Sequence, residues 1–212
     1  MGIKSSKFKV VKAKMAKLKR QKDKLKTGIF VDDANLFYAQ KKAGWRVDYG
    51  KLKELLSQEV EVAFIHYHFC LPAKWDNARA ATEKYLEKIK DQVVLKPKPL
   101  KYIRVGGQLL KKGDVDLEIA LDVVRNLEKL DLVIVVSGDS DYVELRKFVL
   151  EKGKKILFLG FKVNMAWEIK QGKYLLLDKI RPWIELNKKT PPKNRRRLLL
   201  SILYQEKRRK SS

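Results

Sequence analysis

The chain has 212 residues, 45% of them hydrophobic, and a formal net charge of +24. That length supports one well-buried core and is short for two full domains. The single cysteine, Cys70, excludes an internal disulfide framework and a thiolate zinc set, and no run approaches the roughly 18 apolar residues of a membrane span, so the expectation is a soluble, cytoplasmic protein with no membrane partner.

The charge is uneven. Residues 1–27 carry 11 Lys/Arg against one acid and residues 187–212 carry 10 against one, which leaves +5 for residues 28–186. This divides the chain into a basic N-terminal extension (1–27), one folded domain (28–186) and a basic C-terminal tail (187–212). Such ends suit a polyanion, most simply nucleic acid, through phosphate neutralisation and counterion release. The plainer reading is a pair of solvated tails.

In chain order, Phe8, Val11, Met15, Leu18 and Leu25 recur among lysines at near-helical spacing, which predicts a basic helix. Residues 28–31 form a short apolar strand that ends in Asp32, Asp33, Ala34 and Asn35. Helices are expected over 36–42 and 51–56, then a strand over 60–70. On that strand His66, His68 and Cys70 share one face by the two-residue period. Three ligands in a row on one strand surround an ion poorly, so the pair of histidines reads as packing rather than as metal ligands.

A helix over 78–89 and a proline-marked extended segment over 93–99 follow. Two runs around Gly106-Gly107 predict a hairpin, after which come Lys111 and Lys112. Residues 114–127 have helical periodicity, with Asp116 on the core-facing stripe and Asp122 on the solvated side beside Glu118, Arg125 and Lys129. A buried acid is costly unless it is paired, capping or bound to a metal.

The run LVIVV at residues 132–136 lacks alternation and reads as a central parallel strand covered on both faces. It leads straight into Ser137, Gly138, Asp139 and Asp141, and a helix begins at Tyr142. Helix capping explains one of those acids but not both. A further strand over 154–161, a helix over 163–170 and a closing segment over 175–186 complete the domain, and Arg195, Arg196 and Arg197 open the tail.

Strands that alternate with helices imply a parallel sheet whose strand ends gather at one rim. Asp32, Asp139 and Asp141 then become neighbours, with Asp116 delivered by a helix start. Clustered carboxylates raise one another's pKa values unless a cation sits among them, and all-oxygen ligands suit Mg²⁺ or Mn²⁺. Such an ion can activate water and stabilise a phosphodiester during displacement, so acids in a basic protein point to a nuclease.

Three stretches then carry a likeness: VDDAN at residues 31–35, KGDVDLEIALD at 112–122 and SGDSDY at 137–142. Together, over roughly residues 28–186, they resemble the three motifs of the NYN domain, a PIN-like, LabA-related family of metal-dependent ribonucleases. The resemblance implies a three-layer α/β/α PIN-like fold with a central, mainly parallel sheet, extended here by a β-hairpin and basic ends. It also implies a catalytic, metal-binding set of Asp32, Asp116, Asp139 and Asp141 for Mg²⁺ or Mn²⁺, with Asn35 and Ser137 beside them. The family pattern has an acid where Asp122 stands, which makes Asp122 a further candidate ligand against its solvated periodicity. Asp33 stands where relatives often have glycine, and could add a ligand or crowd the site. Asp114 is an extra acid, read first as the N-cap of its helix.

The function implied is metal-dependent hydrolysis of RNA, structured or ribosome-associated, whose backbone is held by Lys111, Lys112, Arg195, Arg196 and Arg197. The competing reading is a non-catalytic RNA- or ribosome-binding protein on the same scaffold. A homo-oligomer is left open by the sequence.

Overall fold

All five residues of the LVIVV run are fully buried. The computed structural model describes residues 24–187. Its first half runs β1 (Lys26–Asp32), α1 (Asp33–Ala43), α2 (Tyr49–Leu56), β2 (Glu61–Leu71), α3 (Arg79–Ile89) and β3 (Val94–Pro99). A hairpin of β4 (Lys101–Val105) and β5 (Gln108–Lys112) follows, then α4 (Asp116–Asn126), β6 (Leu132–Val136) and α5 (Val143–Glu151). The described chain closes with β7 (Lys155–Gly160), α6 (Trp167–Lys170), β8 (Tyr174–Leu176) and α7 (Leu177–Ile184). The helix expected in the N-terminal extension and the arginines of the C-terminal tail lie outside the described residues.

Six strands form one parallel sheet in the order β3-β2-β1-β6-β7-β8, and β4-β5 pair separately as an antiparallel ribbon. The expected α/β/α architecture is what forms. Alternate residues of each inner strand feed two cores. Ile29, Val31, Ile134 and Val136 face α1, α2 and α7 on one side, while Phe30, Val133, Val135 and Phe158 face α4 and α5 on the other. Burial on both faces is why these strands read as continuous apolar runs. Pro97 and Pro99 lie in β3, at the edge, where a missing N–H costs no ladder bond on the open side.

The sequence runs outward from β1 through β2 to β3 and then returns across the hairpin and α4 to β6, on the opposite side of β1. Strand order therefore reverses between β1 and β6. In open α/β sheets this reversal leaves a crevice beyond the carboxyl ends of the two strands, where ligands bind. Asp32 ends β1, and Ser137, Gly138 and Asp139 follow β6.

Two local expectations are corrected. Asp114 does not cap α4: the cap position is Val115, which makes no side-chain bond, and the Asp114 carboxylate lies 3.2 Å from the Lys98 ammonium. The helix expected over 163–170 shrinks to α6, because Asn164 is drawn to Asn35 and the Ala166 N–H donates to the Gly138 carbonyl at 2.8 Å. The hairpin forms as read, with both turn glycines at positive φ, +56° and +82°, as a primed two-residue turn requires.

Gly138 is a tight point of the rim, and there the approach is to backbone. A Cβ added there would meet the Asn164 carbonyl oxygen at 2.6 Å, and that atom is backbone, which cannot swing aside. Gly138→Ala should therefore cost about 1–3 kcal/mol of stability, the usual range for forcing an extra methyl into a packed position. Urea unfolding checks this, and a midpoint equal to that of the wild type would contradict the close approach.

Candidate functional site

Asp32 is buried at the end of β1 and does two jobs at once. Its Oδ1 accepts the Asn35 N–H at 3.1 Å, capping α1, and its Oδ2 accepts from Ser137 Oγ at 3.1 Å and stands 3.2 Å from the Tyr142 hydroxyl. Burial pushes its pKa up to about 6, with the Asp116 charge adding to the rise and the Asn35, Ser137 and Tyr142 bonds opposing it.

Asp116 stands at the start of α4, where its Oδ1 accepts from the same Tyr142 hydroxyl at 2.8 Å. The two carboxylates are thus bridged by one phenol. Burial raises the Asp116 pKa, the Tyr142 bond lowers it, and the charges of Asp139, Asp141 and Asp114 raise it further. Tyr142 itself is held far above the ordinary phenol range, first by burial and then by the charges of Asp32 and Asp116, so it keeps its proton.

Asp139 caps the turn Ser140–Tyr142 by accepting the Asp141 N–H at 3.1 Å, and its own N–H donates to Ser137 Oγ at 3.2 Å. Asn35 ties three elements together. Its Oδ1 accepts from the Gly138 N–H at 3.0 Å and from Asn164 Nδ2 at 2.8 Å. Asp32, Asn35, Asp116, Asp139 and Asn164 all line one cleft of about 400 Å³, walled by Tyr38 and Lys42 of α1 and by Gly113 to Val115.

Of the residues expected here, Asp32, Asp116, Asp139 and Asn35 line that cleft and Ser137 braces Asp32. Asp141 is exposed and lies outside the cleft lining, although its charge reaches Asp116. Asp33 is turned to the opposite core, where it accepts from the Tyr67 hydroxyl, so it neither adds a ligand nor crowds the cleft. Asn164 and the bridging hydroxyl of Tyr142 were not legible in advance. Neither residue type signals metal or phosphate chemistry by itself, and only the folded rim brings them in.

Asp122 is not solvated. It is buried, and its Oδ2 accepts from His66 Nδ1 at 2.7 Å and His68 Nε2 at 3.0 Å, while Oδ1 accepts from Asn126 at 2.9 Å. Lys96 stands 3.8 Å away. The periodicity failed because β2 reaches under that side of α4. Burial lowers both histidine pKa values, His68 to about 4, so both rings are neutral near pH 7. His66, His68 and Asp122 each offer a ligand atom within 4.8 Å of the others and could hold a metal ion, and among the described residues they are the only group that meets this spacing. Cys70 is not in it; its thiol lies 3.6 Å from the Asp114 carbonyl. The same atoms also hydrogen-bond to one another without an ion.

Lys111 is tied to Asp76 at 2.7 Å and holds that carboxyl down to about 2. Lys112 is exposed on β5, and Arg195, Arg196 and Arg197 lie outside the described residues.

The family model of the NYN domain matches residues 26–174. The chain belongs to the NYN domain family. This NYN domain is similar to the low amplitude and bright protein LabA of Synechococcus elongatus, with 24% identity over 169 residues that cover 77% of this chain and 90% of LabA. Among solved structures, a protein of unknown function from Vibrio parahaemolyticus shares the fold with a TM-score of 0.60 and 24% identity, over 77% of this chain and 97% of that one. No helix of the NYN domain among the described residues is long and apolar enough to cross a membrane.

The raised pKa of Asp32 carries a signed consequence. In chelator, the folded state keeps a proton on Asp32 between about 3.8 and about 6 that the unfolded chain gives up. Its stabilising contribution is full below the lower value and lost as pH rises through the upper one. Asp32→Asn should therefore stabilise the chelated protein at pH 7 by about 2–3 kcal/mol, a gain that shrinks to nothing near pH 4. His68 moves the other way, since its lowered pKa gives stability above about 6.5 that is lost towards 4. That change is common to both proteins and cancels in the difference. Melting curves across pH check this, and a pH-independent difference would contradict it.

Proposed function

We propose that this NYN domain is a divalent-metal-dependent ribonuclease whose chemistry takes place at the Asp32, Asp116 and Asp139 rim. The observation that supports it most is the placement of a buried carboxylate, Asp32, and a half-buried one, Asp116, on one phenol at the strand-order reversal, with a third acid lining the same cleft. Hard oxygen donors of this kind suit Mg²⁺ or Mn²⁺ rather than zinc. Asp32, Asp116 and Asp139 would hold the ion, which when bound supplies an acidified water and charge neutralisation on the phosphodiester.

The chain's own residues do the rest. Ser137 and the Asn35 N–H fix the Asp32 carboxylate so that it cannot rotate out of the cleft. Tyr142 keeps Asp116 aimed at Asp32. Asn35 and Asn164 lock the α1, β6 and 163–164 segments together, which sets the width of the opening. The basic ends, +10 and +9, would hold the RNA backbone without reading its sequence.

One observation favours a non-catalytic RNA-binding scaffold: the group that meets metal spacing among the described residues is His66, His68 and Asp122, not the rim acids. Cleavage of total cellular RNA with Mn²⁺ or with chelator separates the two. Under manganese, Asp116→Asn and Asp139→Asn should each lower cleavage by orders of magnitude with RNA binding kept. Glu144→Gln, at an exposed site, should be silent. Equal cleavage by wild type and both variants, or none by wild type, would leave the scaffold reading in place.

A further inference from the structure

The α1 wall of the cleft is not accounted for by the acids. Ala34, Tyr38 and Lys42 follow one another at intervals of four residues, so they lie on one helix face, and all three line the cleft. Asn35, one turn before Tyr38, belongs to the rim. Rim, aromatic ring and cation therefore succeed one another along the helix, with about 6 Å of axial rise between Tyr38 and Lys42, comparable to one nucleotide of extended backbone.

Tyr38 is 71% exposed, so the wall of the cleft presents a large ring to solvent. Phe37 stands nearly perpendicular to it, with ring centres 5.5 Å apart, and most of the Tyr38 ring remains open to solvent. No ion pair of Lys42 is formed among the described residues, in contrast to Lys111, which is bound to Asp76. An exposed ring at the wall of a cleft is a surface on which any nucleobase can stack, and a cation one nucleotide further is a phosphate contact. A cleft of about 400 Å³ has room for part of one strand and not for a duplex with its two backbones.

We propose that the α1 face is the track for a single-stranded RNA, with one base stacked on Tyr38 and the adjoining phosphate on Lys42, beside the phosphodiester at the Asp32, Asp116 and Asp139 rim. This rests on the nuclease reading for the direction of the strand, but the binding it describes does not need cleavage.

The test uses the full chain in chelator, where nothing is cut, at a salt concentration that suppresses the contribution of the basic ends. Fluorescence anisotropy reads the affinity for labelled oligouridine, for its duplex with oligoadenosine, and for oligothymidine. Tyr38→Ala should weaken single-strand binding about five- to 100-fold, the range for losing one base stack. Tyr38→Phe should stay within about twofold of wild type because it keeps the stacking face. Lys42→Ala should weaken binding and reduce the salt slope by about one contact. Trp167→Ala, an exposed aromatic away from the cleft, should change nothing.

Tyr38→Ala within twofold of wild type, a Phe variant as weak as the Ala variant, or equal wild-type affinity for duplex and single strand would each overturn the track. A parallel assay of the same oligouridine with Mn²⁺ separates the two proposals. Cleavage with a silent Tyr38→Ala keeps the nuclease and removes the track. Tyr38-dependent binding without cleavage does the reverse.

Discussion

The hydroxyl of Tyr142 lies 3.2 Å from Asp32 and 2.8 Å from Asp116, and it has one proton to give to two acceptors. With both acids ionised, one of those contacts is oxygen facing oxygen without hydrogen. A proton on Asp32 resolves it, and burial first, with the Asp116 charge behind it, already pushes that carboxyl up to about 6. A cation among the carboxylates resolves it equally well. The rest of the rim holds this arrangement in place: β1 and β6 bring Asp32 and the Gly138 turn together, α4 delivers Asp116 from above the opposite core, and Asn35 and Asn164 close the loops over it.

Much of this was legible in the residues because the signals were local. A fully apolar strand such as residues 132–136 has one reading, covered on both faces, and an acid placed right after it must fall on the rim. Caps are local too, and both Asp32 and Asp139 turn out to cap and to face the cleft. What periodicity could not show was whatever depended on a second element. The side of α4 that carries Asp122 looks solvated until β2 places His66 and His68 against it. Asp33 looks like a site residue until the opposite core claims it through Tyr67. Asn164 carries no signal before the chain folds, and Tyr142 shows only as the last residue of SGDSDY, with nothing to mark its hydroxyl as a bridge.

Two titratable groups therefore lie on the same face of the sheet. In the pairing of β1 with β2, His68 sits level with Asp32 and His66 with Phe30, so the histidine–Asp122 network lies beside the rim and under the same helix. Asp116 and Asp122 begin and continue α4, which makes that helix the common support of both groups. Their chemistry differs. The rim has oxygen donors short of protons, whereas Asp122 is surrounded by donors from His66, His68, Asn126 and Lys96. A carboxylate that already accepts three hydrogen bonds has less need of an ion than two carboxylates that share one proton.

Manganese decides between them directly. Anomalous diffraction from crystals of the full chain soaked in Mn²⁺ should show a peak bounded by Asp32, Asp116 and Asp139, with none of comparable height at His66, His68 and Asp122. A peak confined to the histidine group, or no peak at either place at millimolar manganese, would contradict the assignment of the rim as the metal centre.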